Sequence, residues 1–181
     1  MKKGDMHKLG PVGDSTQGVA WDGKDQRNVY QLFISYDSVK LVGLQVQYMD
    51  KESSSLLLSD VYGKMSGSNF RAIEFDYPAE YITWLKIDGS WDSVVRLAMK
   101  TNLGKCFGPF PFESDYNIND EMLATGYYLG EKNQFGGFYG TADKQHGLYS
   151  LGVYVQPVLS LDKLAQPLFG AQPQFGFGRR L

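Results

Sequence analysis

The residues best equipped for chemistry cluster within positions 136–155, where Asp143, Lys144, Gln145, His146 and Tyr149 bring a carboxylate, an ammonium, an amide, an imidazole and a phenol close together. Such a set can donate and accept several hydrogen bonds at once, as binding of a polar ligand requires. His146 is a candidate site residue, although a lone loop histidine is more simply a solvated side chain. The other histidine, His7, and the single cysteine, Cys106, lie far away in sequence, so neither a metal site nor a Cys–His nucleophile is supported. Asp88 with Asp92, and Asp76 with Glu80, are carboxylate pairs of the kind glycoside hydrolysis uses. Spacing alone does not set them across a scissile bond, and hairpin-end or solvent-facing acids are the simpler account. The glycine-rich runs 66–68 and 136–140 lack the Lys-Ser/Thr and following helix of a phosphate loop, which makes them turns. These residues point to binding without catalysis, metal or cofactor.

The elements that must hold this cluster read as strands. Glycines crowd 136–140, residues 143–147 form a polar loop, and Leu151, Val153 and Val155 then recur with the period of two that lines one face of a strand. Loops fixed at both ends by such elements are common seats of binding. Upstream, Tyr30, Leu32, Ile34 and Tyr36 mark a strand, and Leu44, Val46 and Tyr48 mark its hairpin partner. Residues 70–77 alternate Ile73, Phe75 and Tyr77 against Glu74 and Asp76, and Pro78 is expected to stop that strand. A second hairpin joins 81–87 to 94–101 through a turn carrying Trp91 and Asp92, and 122–129 and 134–139 read as further strands. A long hairpin with accessory strands is thus met three times, which implies an internally repeated all-β architecture. Residues 1–9 read as a flexible lead-in, 10–156 as one domain, and 157–181, rich in Gly, Pro, Gln and Phe, as a disordered tail or docking arm.

Composition narrows the partners. With 181 residues, 18 Lys and Arg against 20 Asp and Glu, the chain has one domain's length and lacks the cationic excess of a nucleic-acid or membrane-surface binder. The basic start is followed by no apolar h-region, so a soluble, cytoplasmic or nuclear protein is expected.

Several segments, in order, resemble the jacalin-related lectins of plants. They are Gly10-Pro11-Val12-Gly13 with Gly18-Val19-Ala20-Trp21-Asp22, then Tyr77-Pro78-Ala79-Glu80-Tyr81, then Phe107-Gly108-Pro109-Phe110, and finally Gly136-Gly137-Phe138 with Leu151-Gly152-Val153-Tyr154-Val155. Leu58-Ser59-Asp60, Ser66-Gly67-Ser68-Asn69-Phe70 and Gln134-Phe135 look closest to the cytosolic, restricted-virus-movement-like members. The resemblance implies a β-prism of three four-stranded Greek-key sheets around a pseudo-threefold axis, calcium-independent binding of a mannose-type glycan by an uncut chain, and self-association into homo-oligomers.

It also implies a sugar site at one end of the prism, with a backbone N–H from Gly18 and a Gly-x-x-x-Asp loop whose aspartate accepts two sugar hydroxyls. Here the glycine position is Gln145 and the aspartate position is Tyr149, with His146, Gly147 and Leu148 between. A phenol is a weaker acceptor than a carboxylate and fills more space. Asp143 in the same loop and Asp92 in the neighbouring turn are the carboxylates able to replace the lost one, and Trp91 is placed to stack on a sugar ring. Two readings follow: a carbohydrate-binding module of plant stress or virus defence, or a prism without a sugar site that binds a protein partner.

Overall fold

The computed structural model describes residues 5–111 and 126–158, which contain thirteen strands and no helix. In chain order these are β1 (His7–Gly13), β2 (Val19–Asp22), β3 (Val29–Tyr36), β4 (Leu41–Met49), β5 (Leu56–Leu58), β6 (Tyr62–Gly63), β7 (Asn69–Glu74), β8 (Ile82–Gly89), β9 (Val94–Thr101), β10 (Cys106–Phe110), β11 (Tyr127–Tyr128), β12 (Phe135–Asp143) and β13 (Gly147–Val155). They form three antiparallel sheets, ordered β1-β13-β12-β2, β5-β4-β3-β7 with β6 also on β4, and β10-β9-β8-β11. This is the three-sheet prism that the resemblance implies, with β6 as a fifth strand in one sheet.

Register explains why the sheets close on one core. Leu32 faces Val46 and Ile34 faces Leu44 across β3 and β4, so both apolar rows point to the same side. Leu85 opposite Met99 and Ile87 opposite Leu97 do the same in β8 and β9, and Phe138 opposite Val153 and Gly140 opposite Leu151 in β12 and β13. The three inner faces merge into one buried cluster, each large side chain contributing roughly 1.5–3 kcal/mol of burial. The two Gly-Pro motifs fall at matching places. Each lies in an outer strand, β1 or β10, at a register shift against a hairpin arm, with Gly10 and Gly108 both at positive φ.

Several expectations shift. β1 begins at His7, inside the expected lead-in, because Leu9 packs on the core and residues 7–9 pair with Val155, Tyr154 and Val153. β7 ends at Glu74, before the expected stop at Pro78, where the chain bends and Tyr77 N–H donates to Phe75 O. Of the strand expected over 122–129, Tyr127–Tyr128 is present, and residues 112–125 lie outside the described residues, as do 159–181 of the tail. Asp143 and Gly147, expected in the loop, are paired strand ends, so the β12–β13 connection is a turn of three residues, 144–146.

Candidate functional site

One end of the prism gathers the predicted residues. Gly13 lies so close to the β12–β13 hairpin that a Cβ there would sit 2.2 Å from Tyr149 O and 3.2 Å from Ser93 O. Asp14 N–H donates to Tyr149 O (2.9 Å), and the Thr141 hydroxyl donates to Asp14 O (3.2 Å). These contacts place the 13–18 loop, the 89–93 turn and the 143–149 hairpin side by side. Gly18, at φ +76°, is pressed between Ala142 O and the Tyr149 ring, each 2.8 Å from where a Cβ would be, so only glycine fits without displacement.

Asp143 organises the hairpin. Its Oδ1 accepts the backbone N–H groups of Gln145 (2.9 Å) and His146 (2.5 Å). Its Oδ2 lies 3.1 Å from His146 Nδ1 and accepts the Tyr149 hydroxyl at 2.9 Å. The His146 backbone and ring contacts, with those of Tyr149 and Gln145, outweigh slight desolvation and hold the Asp143 carboxyl well below the usual carboxylate range. Donating to that carboxylate raises the Tyr149 phenol above its ordinary value. The charge-assisted acceptor positions that a ligand hydroxyl would use are engaged within the chain.

The remaining predicted residues divide by what they touch. Gln145 is exposed and its carbonyl accepts Lys64 Nζ (2.9 Å). Gly147, at φ +96°, passes so close to Val42 O that a Cβ would lie 2.5 Å away, and Leu148 is a core residue at 1% exposure, so both frame the loop from behind. Trp91 is 84% exposed at the β8–β9 turn. Asp92 accepts the Ser90 (2.7 Å) and Ser93 (3.1 Å) hydroxyls, which lower its pKa, with a smaller attraction from Lys40. Asp92 thus caps its own turn, and the carboxylate restored to the neighbourhood of Gly18 is Asp143, reached through Tyr149. Glu80, read as a solvent-facing acid, is buried at 1% exposure.

A Jacalin-like lectin domain model matches residues 9–154. The chain belongs to the jacalin-like lectin family. As a jacalin-like lectin domain it is non-enzymatic. It is similar to "Protein RESTRICTED TEV MOVEMENT 1" of Arabidopsis thaliana, 35% identical over 167 residues that cover 87% of this chain and 91% of that one. "Jacalin-related lectin 2" of the same plant is 36% identical over 164 residues, 84% of this chain and 87% of that one. Among solved structures, the mannose binding lectin from Champedak (TM-score 0.63, 21% identity, 84% of this chain and 97% of that one) shares the fold. So does single chain recombinant jacalin (TM-score 0.62, 24% identity, 87% and 98%).

What sequence reasoning missed at this jacalin-type site is the phenol-to-carboxylate contact spanning six positions. The one signal for it was an aspartate followed two and three residues later by turn residues, the pattern in which a carboxylate caps backbone N–H groups.

Proposed function

We propose that this chain is a non-catalytic carbohydrate-recognition module of plant virus or stress defence that takes a mannose-type glycan at the loop end of the prism, with the Tyr149 phenol as resident occupant of the acceptor. The reading rests on one observation: the Tyr149 hydroxyl donates to Asp143 Oδ2 beside Gly18, where a sugar hydroxyl would otherwise donate. A sugar binds by displacing the phenol, and losing that charge-assisted bond weakens binding roughly tenfold to a hundredfold. The Arabidopsis relatives named for restricted virus movement support the defence setting. The same reading places the module in the cytosol or nucleus as a self-associating protein.

Calorimetric titration with methyl-mannoside and a branched oligomannose tests it on wild type and Tyr149→Asp. Weak, millimolar-level binding by wild type and at least tenfold tighter binding by the variant is the expected outcome, and silence of both overturns the reading. The saturation of Asp143 also favours a second reading, a prism that binds a protein partner in place of a sugar. Silence of wild type with binding by the variant selects it.

A further inference from the structure

Beside the loop end, a cleft of about 400 Å³ runs between β2 and β6, with Val19, Trp21, Asp60, Val61, Tyr62 and Asp143 among its lining residues. Trp21 and Tyr62 stack there with ring centres 3.9 Å apart and planes within 10°. The rim leaves apolar surface in water: Val19 is 74% exposed and Val61 43%. Farther along the same edge of β4, the three leucines of β5 are exposed as well. Indole Nε1 of Trp21 is buried without a hydrogen-bond partner among the described residues.

Among the described residues β2 is also the last strand of its sheet. Gly23 N–H donates to Phe138 O, and alternation from that bond directs the backbone groups of Val19 and Trp21 to β12. The N–H and C=O groups of Ala20 and Asp22 are left on an edge that no described strand covers. An open edge beside an apolar trough is the geometry of strand addition, in which an added segment bonds through its main chain and lowers every second side chain into the trough.

The chain carries a segment of matching chemistry. In Phe175-Gly176-Phe177-Gly178-Arg179, outside the described residues, two phenylalanines and an arginine recur with a strand's period of two, and glycines occupy the alternate positions. We propose that residues 175–179 add to the open edge of β2 in the same chain, with Phe175 and Phe177 in the cleft against Val19 and Trp21, and Arg179 toward the exposed Asp60. The intervening glycines then lie on the outer face, alongside Ala20 and Asp22. The connection is long enough. From Val158, the last described residue, to Phe175, the chain spans up to about 55 Å when extended, whereas nine-residue β13 is about 30 Å long.

Amide hydrogen exchange on the full chain tests this, comparing wild type with Phe175→Ser/Phe177→Ser. The Ala20 and Asp22 amides are expected to exchange at least tenfold faster in the variant, while Val153 in the central strand β13 is unchanged and reports an intact fold. Arg179→Glu should accelerate the same two amides about threefold, and adding Asp60→Arg should restore protection. Equal rates at Ala20 and Asp22 in wild type and the phenylalanine variant overturn the proposal. Wild-type protection that disappears on dilution assigns the segment to a second copy and overturns the same-chain assignment.

Discussion

Tyr149 and Tyr154 lie on the same strand and give their hydroxyls to different aspartates, with different consequences for pH. The Asp143 carboxyl is depressed, so its contribution to holding the hairpin is present above the ordinary aspartate value of about 3.9 and is lost as pH falls through its lower folded value. The hairpin therefore keeps its arrangement from neutral pH into the acid range. Tyr154 is the opposite case. Burial, with its hydrogen bond to Asp22 Oδ2 (2.8 Å), pushes the phenol up to about 12. A raised phenol contributes stability that is complete below its unfolded value near 10 and is lost as pH rises toward 12. Denaturant melts across that window should show Tyr154→Phe losing less stability per pH unit than wild type, by about 1.4 kcal/mol at most. Parallel pH profiles would remove the assignment. At this scale the departures at positions 145 and 149 are legible by counting along the sequence. The contact between Tyr149 and Asp143 is not, because it depends on how tightly three turn residues curl.

Strands whose two faces meet different surroundings announce themselves. β3 and β9 occur at the expected bounds because each sets core residues against half-exposed ones over part of its length, as in Leu97 and Met99 against Arg96 and Lys100, even though Ser35 and Ala98 are buried too. β1 is harder to see, since only Leu9 and Val12 among its residues pack on the core and most of the strand is held by backbone pairing to β13. Glu80 shows a second limit, for two of the three partners that meet it lie more than twenty positions away. Thr101 Oγ1 (2.8 Å) donates to its Oε1, and Lys105 Nζ (2.7 Å) and Asp76 N–H (3.0 Å) donate to its Oε2. Burial alone would raise this carboxyl, but those donors outweigh it and leave the pKa lowered. The group ties the 76–80 turn to the end of β9. Glu80→Ala leaves the Thr101 hydroxyl and the Asp76 N–H without their acceptor and should cost about 1–3 kcal/mol in urea unfolding; a cost under about 0.5 kcal/mol would show that the tie is not structural.

For the molecule as a whole, three sheets sharing one core predict a single cooperative transition. Far-ultraviolet dichroism and tryptophan fluorescence should therefore report the same midpoint, and separate midpoints would mean that the sheets unfold independently. Phe138, fully enclosed where the faces meet, is the position at which truncation should be felt throughout: Phe138→Ala is expected to cost about 3–5 kcal/mol in the same melts. The threefold plan was legible because its hairpins repeat along the chain; the cleft beside β2 was not, because it lies between two sheets that no local pattern relates. The pairing of β1 with β13 has a mechanical consequence. His7 stands opposite Val155, and Gly13 opposite Ser150, so the first and last of the described strands enter the prism side by side. Tension applied through the flanking segments loads their hydrogen bonds one after another, like a zipper, and does not shear them together. Such a domain yields to a modest pull by peeling its outer strand while the other two sheets hold, whatever its resistance to heat.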